Sequence, residues 1–206
     1  MPIDQQKTLD VRRVAIIPAR GGSKRLPRKN ILPLGGRPMV CWSVEAALQS
    51  GLFERVCVST DDQEIAQIAS QAGAEVLRRP DSLGSDSATV AEVCSHHMQS
   101  WAACGKTYDY LFCLYPTAPL RNAKDLRAIA SILDNMSDAL AVIGVSKFMH
   151  YPHQALRVGK NGELQPFWPE LVNLRGSDLP TLVAGNGSTY AIQVKSFMQT
   201  KNFLPA

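Results

Sequence analysis

The sequence predicts an open α/β fold with a mainly parallel sheet, because short apolar segments alternate with amphipathic ones along most of the chain. The apolar segments have the length of strands, and the amphipathic segments repeat their apolar residues at helical spacing. Right-handed crossovers are therefore expected between parallel neighbours. In such sheets ligands bind at the carboxyl ends of the strands, so the loops after the strands are the places to search for chemistry.

The elements follow one another in a regular order. Strands are predicted at 14–17, 55–59, 75–77, 110–114 and 139–145, with a possible return to the sheet at 188–192. Helices are predicted at 39–50, closed by Gly51; from a cap at Thr60 or Asp61 to about Gln71; from Asp86 or Ser87 to about Trp101; at 123–135; and from Lys195 onward.

Length and composition indicate a single soluble domain over 1–206, in which 1–12 form a polar tail. The segment 146–186 is rich in proline and lacks long periodic runs, so it is interpreted as an inserted arm. Residues 1–13 have no apolar centre, which argues against a signal peptide or a membrane span. Five cysteines without a C-x-x-C pair favour a reducing cytoplasm.

Much of the net charge of +4 is concentrated in one loop, which follows the first strand. That loop combines Gly21 and Gly22 with five cations, namely Arg20, Lys24, Arg25, Arg28 and Lys29. Glycines allow backbone amides to converge on an anion, and the cations neutralise its charge. A solvated basic turn is the alternative. Neither of the common glycine-rich phosphate motifs is present, and an anionic small molecule is favoured over nucleic acid.

Polar residues follow the other strands as well. Asp61 and Asp62 end the second strand, where either the pair binds Mg²⁺ or Asp61 caps the next helix, and the cap is favoured. Two prolines stiffen the segment 115–121. His150 and His153 lack the spacing of a metal site, and the pair His96–His97 is expected to be partly exposed and without function.

The order A-R-G-G-S-K-R-L-P-R-K-N, at 19–30, resembles the signature of the acylneuraminate cytidylyltransferases, the CMP-sialic acid synthetase family. In that family the loop wraps the triphosphate of CTP. The resemblance extends over about 14–197 and implies a Rossmann-like nucleotidyltransferase fold with a dimerisation arm. It also implies transfer of CMP from CTP to a nine-carbon acidic keto sugar (sialic, legionaminic or pseudaminic type), with release of pyrophosphate.

The resemblance implies roles for individual residues. Arg20 and Lys29 are the expected catalytic cations, which neutralise developing charge. The expected nucleotide-binding residues are Ala19, Arg20, Gly21, Gly22, Ser23, Lys29, Asn30, Arg79 and Thr89.

For the sugar, Y-P-T-A-P-L-R at 115–121 resembles the family's Q-P-T-S-P-L-R, but Tyr115 replaces the glutamine. This departure favours a legionaminate- or pseudaminate-like acid over N-acetylneuraminate. The expected sugar-binding residues are Tyr115, Thr117, Arg121, Arg175 and Asn186. Ala184 and Gly185 replace a usual arginine-proline pair, so Arg175 is expected to take over the carboxylate contact, from the partner subunit of a homodimer.

The resemblance also implies Mg²⁺, which the family holds with a D-x-D pair after the last helix. No such pair follows the last helix here, so the ligands stay unassigned. A longer gene product, a substitute such as Asp61, or a catalytically silent binding protein are the alternatives. A nucleotidyltransferase that uses UTP or GTP on a sugar phosphate is a further alternative.

Overall fold

The computed structural model describes residues 11–24, 26–85, 87–136 and 138–205. The strands are β1 (Arg13–Pro18), β2 (Pro33–Leu34), β3 (Arg37–Pro38), β4 (Arg55–Thr60), β5 (Glu75–Arg78), β6 (Tyr110–Leu114), β7 (Ala141–Lys147), β8 (Leu156–Val158), β9 (Leu164–Pro166) and β10 (Val183–Gln193). The helices are α1 (Met39–Ser50), α2 (Gln63–Gln71), α3 (Asp81–Gly84), α4 (Val90–Ala103), α5 (Ala123–Asn135) and α6 (Val194–Thr200). None of the helices in these ranges is long and apolar enough to cross a membrane.

The central sheet has six strands in the order β5-β4-β1-β6-β10-β7. Strands β5, β4, β1 and β6 run parallel to their neighbours, whereas β10 pairs with β6 in the antiparallel sense. The predicted open, mainly parallel α/β fold is thereby confirmed. The register sets Pro18 beside Ser59 and Thr60 beside Arg78, so the loops that leave β1, β4 and β5 start at one edge of the sheet.

Both faces of the sheet are covered by helices. Ala15 and Ile17 of β1 pack in the core cluster with residues of α1, α2 and α5, while Val14 and Ile16 pack in the cluster with residues of α4 and α6. All of these β1 side chains are fully buried. Burial on both sides explains why the strand is a continuous apolar run rather than an alternating one.

The described chain divides into two compact units, one formed by residues up to 143 together with those from 187 onward, and a second formed by 144–186. The second unit contains the hairpin of β8 and β9, and the Phe167 ring packs on Trp168 with centroids 4.7 Å apart. The single domain with an arm at 146–186 stays a prediction.

Two predicted helix starts are wrong. Asp62, and not Thr60 or Asp61, caps α2: its Oδ1 accepts a hydrogen bond from the Ile65 amide at 2.9 Å. Helix α4 begins after Thr89 rather than at Ser87, because Thr89 and Glu92 form a reciprocal capping box. The alternative start, Asp86, lies outside the described residues. No helix was predicted at α3, and no strands were predicted at β2 and β3.

Candidate active site

A cleft of about 440 Å³ lies where the carboxyl ends of the parallel strands meet the start of α4. Its lining brings together these predicted site residues: Arg20, Lys29, Asn30, Arg79, Thr89, Tyr115 and Thr117. A larger groove of about 530 Å³ lies around Arg37, Cys41 and Ile68, and it contains none of the predicted site residues. The chemistry-bearing residues therefore identify the strand-end cleft as the candidate active site.

The basic loop is fastened at its two ends. Near its start, the Gly21 amide donates to Asp61 Oδ1 at 2.9 Å. Near its end, Asn30 is only 2% exposed, and its Nδ2 donates to the Arg20 carbonyl at 2.9 Å. Asn30 Oδ1 is buried and has no hydrogen-bond partner among the described residues. These bonds hold Arg20 and Lys29 at the cleft.

Asp62 joins the loop to α2. Besides capping the helix, it accepts hydrogen bonds from the Arg28 guanidinium at 3.0 and 3.2 Å, and Arg28 also reaches Glu64 at 2.7 Å. Burial alone would raise the pKa of Asp62, but the bonds from Arg28 and the Ile65 amide lower it below its usual value. Arg28 therefore holds the basic loop against α2.

The close approach of Asp62 explains the first glycine of the loop. A Cβ built on Gly21 would lie 2.7 Å from Asp62 Oδ2 and 2.9 Å from its Cβ, which is too close for any side chain. A Cβ on Gly22 would meet nothing within 4 Å. Of these two loop glycines, Gly21 is thus the one that packing requires.

Arg79 reaches the cleft from the loop after β5. Its Nε donates to Ser59 Oγ at 3.1 Å, and its Nη2 donates to the Ser59 carbonyl at 3.0 Å. Burial lowers the pKa of the Arg79 guanidinium. Sequence patterns assigned no role to Ser59, whose side chain is fully buried at the end of β4.

The prediction that His97 is partly exposed is wrong, because it is only 5% exposed and its Nε2 lies 2.8 Å from Ser59 Oγ. Burial, with smaller contributions from the charges of His96 and Arg79, lowers the pKa of His97 to about 4. No local signal marks this residue, because its partner lies 38 positions earlier.

The lowered pKa of His97 predicts an acid-sensitive stability. Below about pH 6.5 the unfolded chain binds a proton at this residue, whereas the folded chain does not until about pH 4, so folding stability falls as the pH falls through this window. Between pH 7 and pH 5 the loss is about 2 kcal/mol. Urea unfolding of the unaltered chain and of His97→Gln measures it, since the variant should lose less stability by about that amount. Parallel pH profiles would contradict the assignment.

The segment after β6 presents Tyr115 and Thr117 to the cleft. The Tyr115 ring lies 5.8 Å from that of Tyr190, and burial raises the pKa of Tyr115. Pro116, between the two cleft residues, is buried. That the prolines present Tyr115 and Thr117 rigidly stays a prediction.

Arg121 lies beneath this segment, only 7% exposed, and burial lowers its pKa to about 10. Its Nη1 donates to the carbonyls of Tyr115 and Ser188, at 3.3 and 2.6 Å, and its Nη2 donates to Ser43 Oγ at 2.6 Å. The guanidinium therefore holds the backbone that carries Tyr115. Binding of the sugar by Arg121 stays a prediction.

The remaining predicted site residues do not line the cleft. Ala19 is fully buried, while Gly22 and Ser23 lie in the basic loop. Arg175 and Asn186 belong to the second unit, where both are exposed. The Asn186 side-chain amide donates to the Val145 carbonyl at 3.4 Å within that unit. Their roles stay predictions.

The described ranges contain no group of three or more His, Cys, Asp or Glu side chains that could hold a metal ion. Asp61, which the sequence offered as a substitute ligand, is exposed after β4, and its Oδ1 accepts the bond from the Gly21 amide. Mg²⁺ in nucleotide sites is usually held by one or two carboxylates together with the phosphates, so Asp61 stays a predicted ligand.

Comparison with known proteins adds an independent line of evidence. A family model described as "Cytidylyltransferase" matches residues 14–164. The pseudaminic acid cytidylyltransferase of Campylobacter jejuni subsp. jejuni serotype O:2 is 33% identical over 191 residues, which cover 92% of this chain and 82% of the relative. The CMP-N,N'-diacetyllegionaminic acid synthase of Legionella pneumophila subsp. pneumophila is 32% identical over 197 residues, covering 94% and 83%.

Among solved structures, a CMP:2-keto-3-deoxy-manno-octonic acid synthetase complexed with CTP superposes with a TM-score of 0.69 at 20% sequence identity. The match covers 95% of this chain and 79% of that one. At this identity the likeness establishes the fold.

Proposed function

Given that the chain belongs to the cytidylyltransferase family, and is therefore a nucleotidyltransferase, we propose that it transfers CMP from CTP to a nine-carbon acidic keto sugar and releases pyrophosphate. The observation that carries this proposal is the convergence of Arg20, Lys29 and Arg79 on one cleft at the strand ends. Cations at this place fit a triphosphate.

In the proposed reaction the anomeric hydroxyl oxygen of the sugar attacks the α-phosphorus of CTP. A new P–O bond forms, the bond to the bridging oxygen breaks, the electron pair leaves with pyrophosphate, and the hydroxyl proton passes to solvent. Such a transfer needs little covalent work from the protein, so its rate depends on positioning and on neutralising charge. Lys29 suits this task, because its ammonium has no hydrogen-bond or ion-pair partner in the described ranges.

The backbone amides of the basic loop are proposed to donate hydrogen bonds to the phosphates, on one condition. In the structure the Gly21 amide donates to Asp61, so a phosphate oxygen must replace that carboxylate before this amide can bind it. Gly22, Ser23 and the buried Asn30 are proposed as further nucleotide contacts. Asn30 Oδ1 is a buried acceptor without a donor in the described residues, and a donor from the nucleotide would satisfy it.

We assign the sugar to the pseudaminic or legionaminic class. Tyr115 replaces the glutamine of sialate enzymes, and it adds an aromatic ring to the cleft wall beside Thr117. An aromatic wall favours apolar groups such as methyl and acyl substituents. The names of the Campylobacter and Legionella relatives point to the same class.

Mg²⁺ is proposed as the cofactor, on the chemistry of phosphoryl transfer in general. When bound, it would neutralise charge on the phosphates. Since the described residues contain no group of three or more His, Cys, Asp or Glu side chains that could hold a metal ion, no step above depends on a metal ligand of this chain.

A substrate panel tests the proposal. Pyrophosphate release is measured with CTP, Mg²⁺ and each of pseudaminate, legionaminate and N-acetylneuraminate, with UTP as the nucleotide control. Turnover is expected with CTP and one of the first two acids, at a kcat/KM at least about tenfold above that for N-acetylneuraminate. CTP binding without turnover on any acid would indicate a silent binding protein, and a preference for N-acetylneuraminate would refute the reading of Tyr115.

A cytoplasmic homodimer completes the proposal. The second unit exposes large apolar side chains, including Met149 at 96% and Val158 at 68%, which a partner subunit would cover. Arg175 is assigned to the sugar carboxylate of the neighbouring protomer. The cysteines are free thiols, as expected in a reducing compartment. Light scattering of the purified chain measures its oligomeric state.

A further inference from the structure

Arg79 is held by two buried side chains from outside its own loop. Ser59, at the end of β4, is fully buried, and His97, from the middle of α4, is only 5% exposed. Ser59 Oγ lies 3.1 Å from Arg79 Nε and 2.8 Å from His97 Nε2. The three side chains thus form a continuous hydrogen-bonded series from the sheet–helix core to the cleft.

The direction of the Arg79–Ser59 hydrogen bond follows from the groups involved. Arg79 Nε has a proton and no lone pair, so Ser59 Oγ accepts from it. Ser59 Oγ keeps a second lone pair and its one hydrogen, so it either accepts a hydrogen bond from His97 Nε2 or donates one to it. Burial lowers the pKa of His97 to about 4, so the ring is neutral at pH 7. In either direction the buried Ser59 hydroxyl is hydrogen-bonded to both neighbours, which favours a buried polar network.

This arrangement fixes the plane of the guanidinium. Nε and Nη2 of Arg79 bind the hydroxyl and the carbonyl of the same serine, and the Arg79 amide donates to the Thr60 carbonyl at 3.1 Å. Two parallel hydrogen bonds to one residue allow the planar guanidinium only one orientation. Nη1 has no hydrogen-bond partner in the described ranges and remains for a ligand in the cleft, which Arg79 lines.

We propose that Ser59 and His97 are positioning residues, which hold Arg79 in the orientation that binds the phosphates of the nucleotide. The inference rests on the proposed function, through the assignment of Arg79 to the nucleotide. An arginine that is ordered before binding loses less side-chain freedom when the ligand arrives, which is worth about tenfold in affinity.

Four single variants test this inference through the dissociation constant of CTP, measured by calorimetry without a sugar. Ser59→Ala removes the acceptor of Arg79, and His97→Leu removes the hydrogen-bond partner of Ser59; each is expected to weaken CTP binding by about tenfold. His97→Gln keeps an amide near the position of Nε2 that can donate or accept, and should bind CTP within about threefold of the unaltered chain. His96→Leu, at the adjacent position, is the matched control and should leave binding unchanged.

A double-mutant cycle separates positioning from a general structural effect. In the Arg79→Ala background, Ser59→Ala should cause no further loss of CTP affinity, because the group that Ser59 positions is gone. A serine that only stabilises the fold would cost the same affinity in both backgrounds, and that result would overturn the inference. Should Ser59→Ala fail to fold, Ser59→Cys is nearly isosteric and carries a weakly hydrogen-bonding thiol, so it takes its place in the cycle.

The outcomes distinguish this inference from the proposed function. If Arg79→Ala weakens CTP binding while Ser59→Ala and His97→Leu bind like the unaltered chain, the inference is wrong and the function stands. If the unaltered chain does not bind CTP, or if Arg79→Ala binds it normally, the assignment of Arg79 to the nucleotide fails, and the inference fails with it.

Discussion

Replacing Arg20 by alanine is expected to lower kcat/KM for CTP by about 1000-fold and to abolish tight CTP binding. Arg20 lines the cleft from the loop after β1. In this position its cation can neutralise the negative charge that develops on the departing pyrophosphate. The change keeps the bond from Asn30 Nδ2 to the Arg20 carbonyl, and it removes the bond from Arg20 Nη1 to the Ser85 carbonyl. Steady-state pyrophosphate release and calorimetric titration with CTP measure the two effects.

Two control variants make the Arg20 experiment specific. Arg20→Lys keeps the positive charge but loses the planar guanidinium with its paired donors, so its activity should lie between those of the unaltered chain and Arg20→Ala. Lys106→Ala removes the same charge from an exposed position before β6, at the opposite edge of the sheet, and should retain full activity. Unchanged CTP binding in Arg20→Ala would remove the basic loop from the active site.

Replacing Gly21 by alanine is expected to weaken CTP binding by about 100-fold, since displacements of about 1 Å in a binding loop have effects of this size. The added Cβ would collide with Asp62, whose side chain caps α2 and holds Arg28. Either the loop or the carboxylate must move, so the variant should also lose about 1–3 kcal/mol of folding stability.

The matched variant for stability is Gly22→Ala, because a Cβ at this neighbouring position meets nothing within 4 Å. Its free energy of unfolding in urea should stay within about 0.5 kcal/mol of the unaltered chain. If Gly21→Ala were as stable as Gly22→Ala and bound CTP normally, the loop would not depend on its contact with Asp62.

The elements that could be predicted from sequence are those with local causes. The apolar run that contains Val14 and Ile17 marks a strand buried on both faces, and Gly51, with a φ of +66°, ends α1 where a left-handed residue is needed. The start of α4 was predicted too early, although the pair Thr89 and Glu92 is a readable capping box. In this case the local signal was present and was missed.

Other features have causes distant in the sequence. Asp61 and Asp62 are adjacent carboxylates, and either would make a good cap. Which of the two caps the helix depends on Gly21, 40 positions earlier, because the Gly21 amide donates a hydrogen bond to Asp61. The Arg121 guanidinium, a predicted sugar-binding group, donates to the Ser188 carbonyl, 67 positions later. Such pairings exist only once the sheet has brought the segments together.

Asp62 links the basic loop beside the cleft to the first turn of α2. One carboxylate closes the first turn of α2, accepts Arg28 and packs against the Gly21 backbone. Fraying of that helix turn and detachment of the loop are therefore a single local opening event. A nucleotide that stiffens the loop is therefore expected to slow solvent exchange of the Ile65 amide, although α2 does not line the cleft.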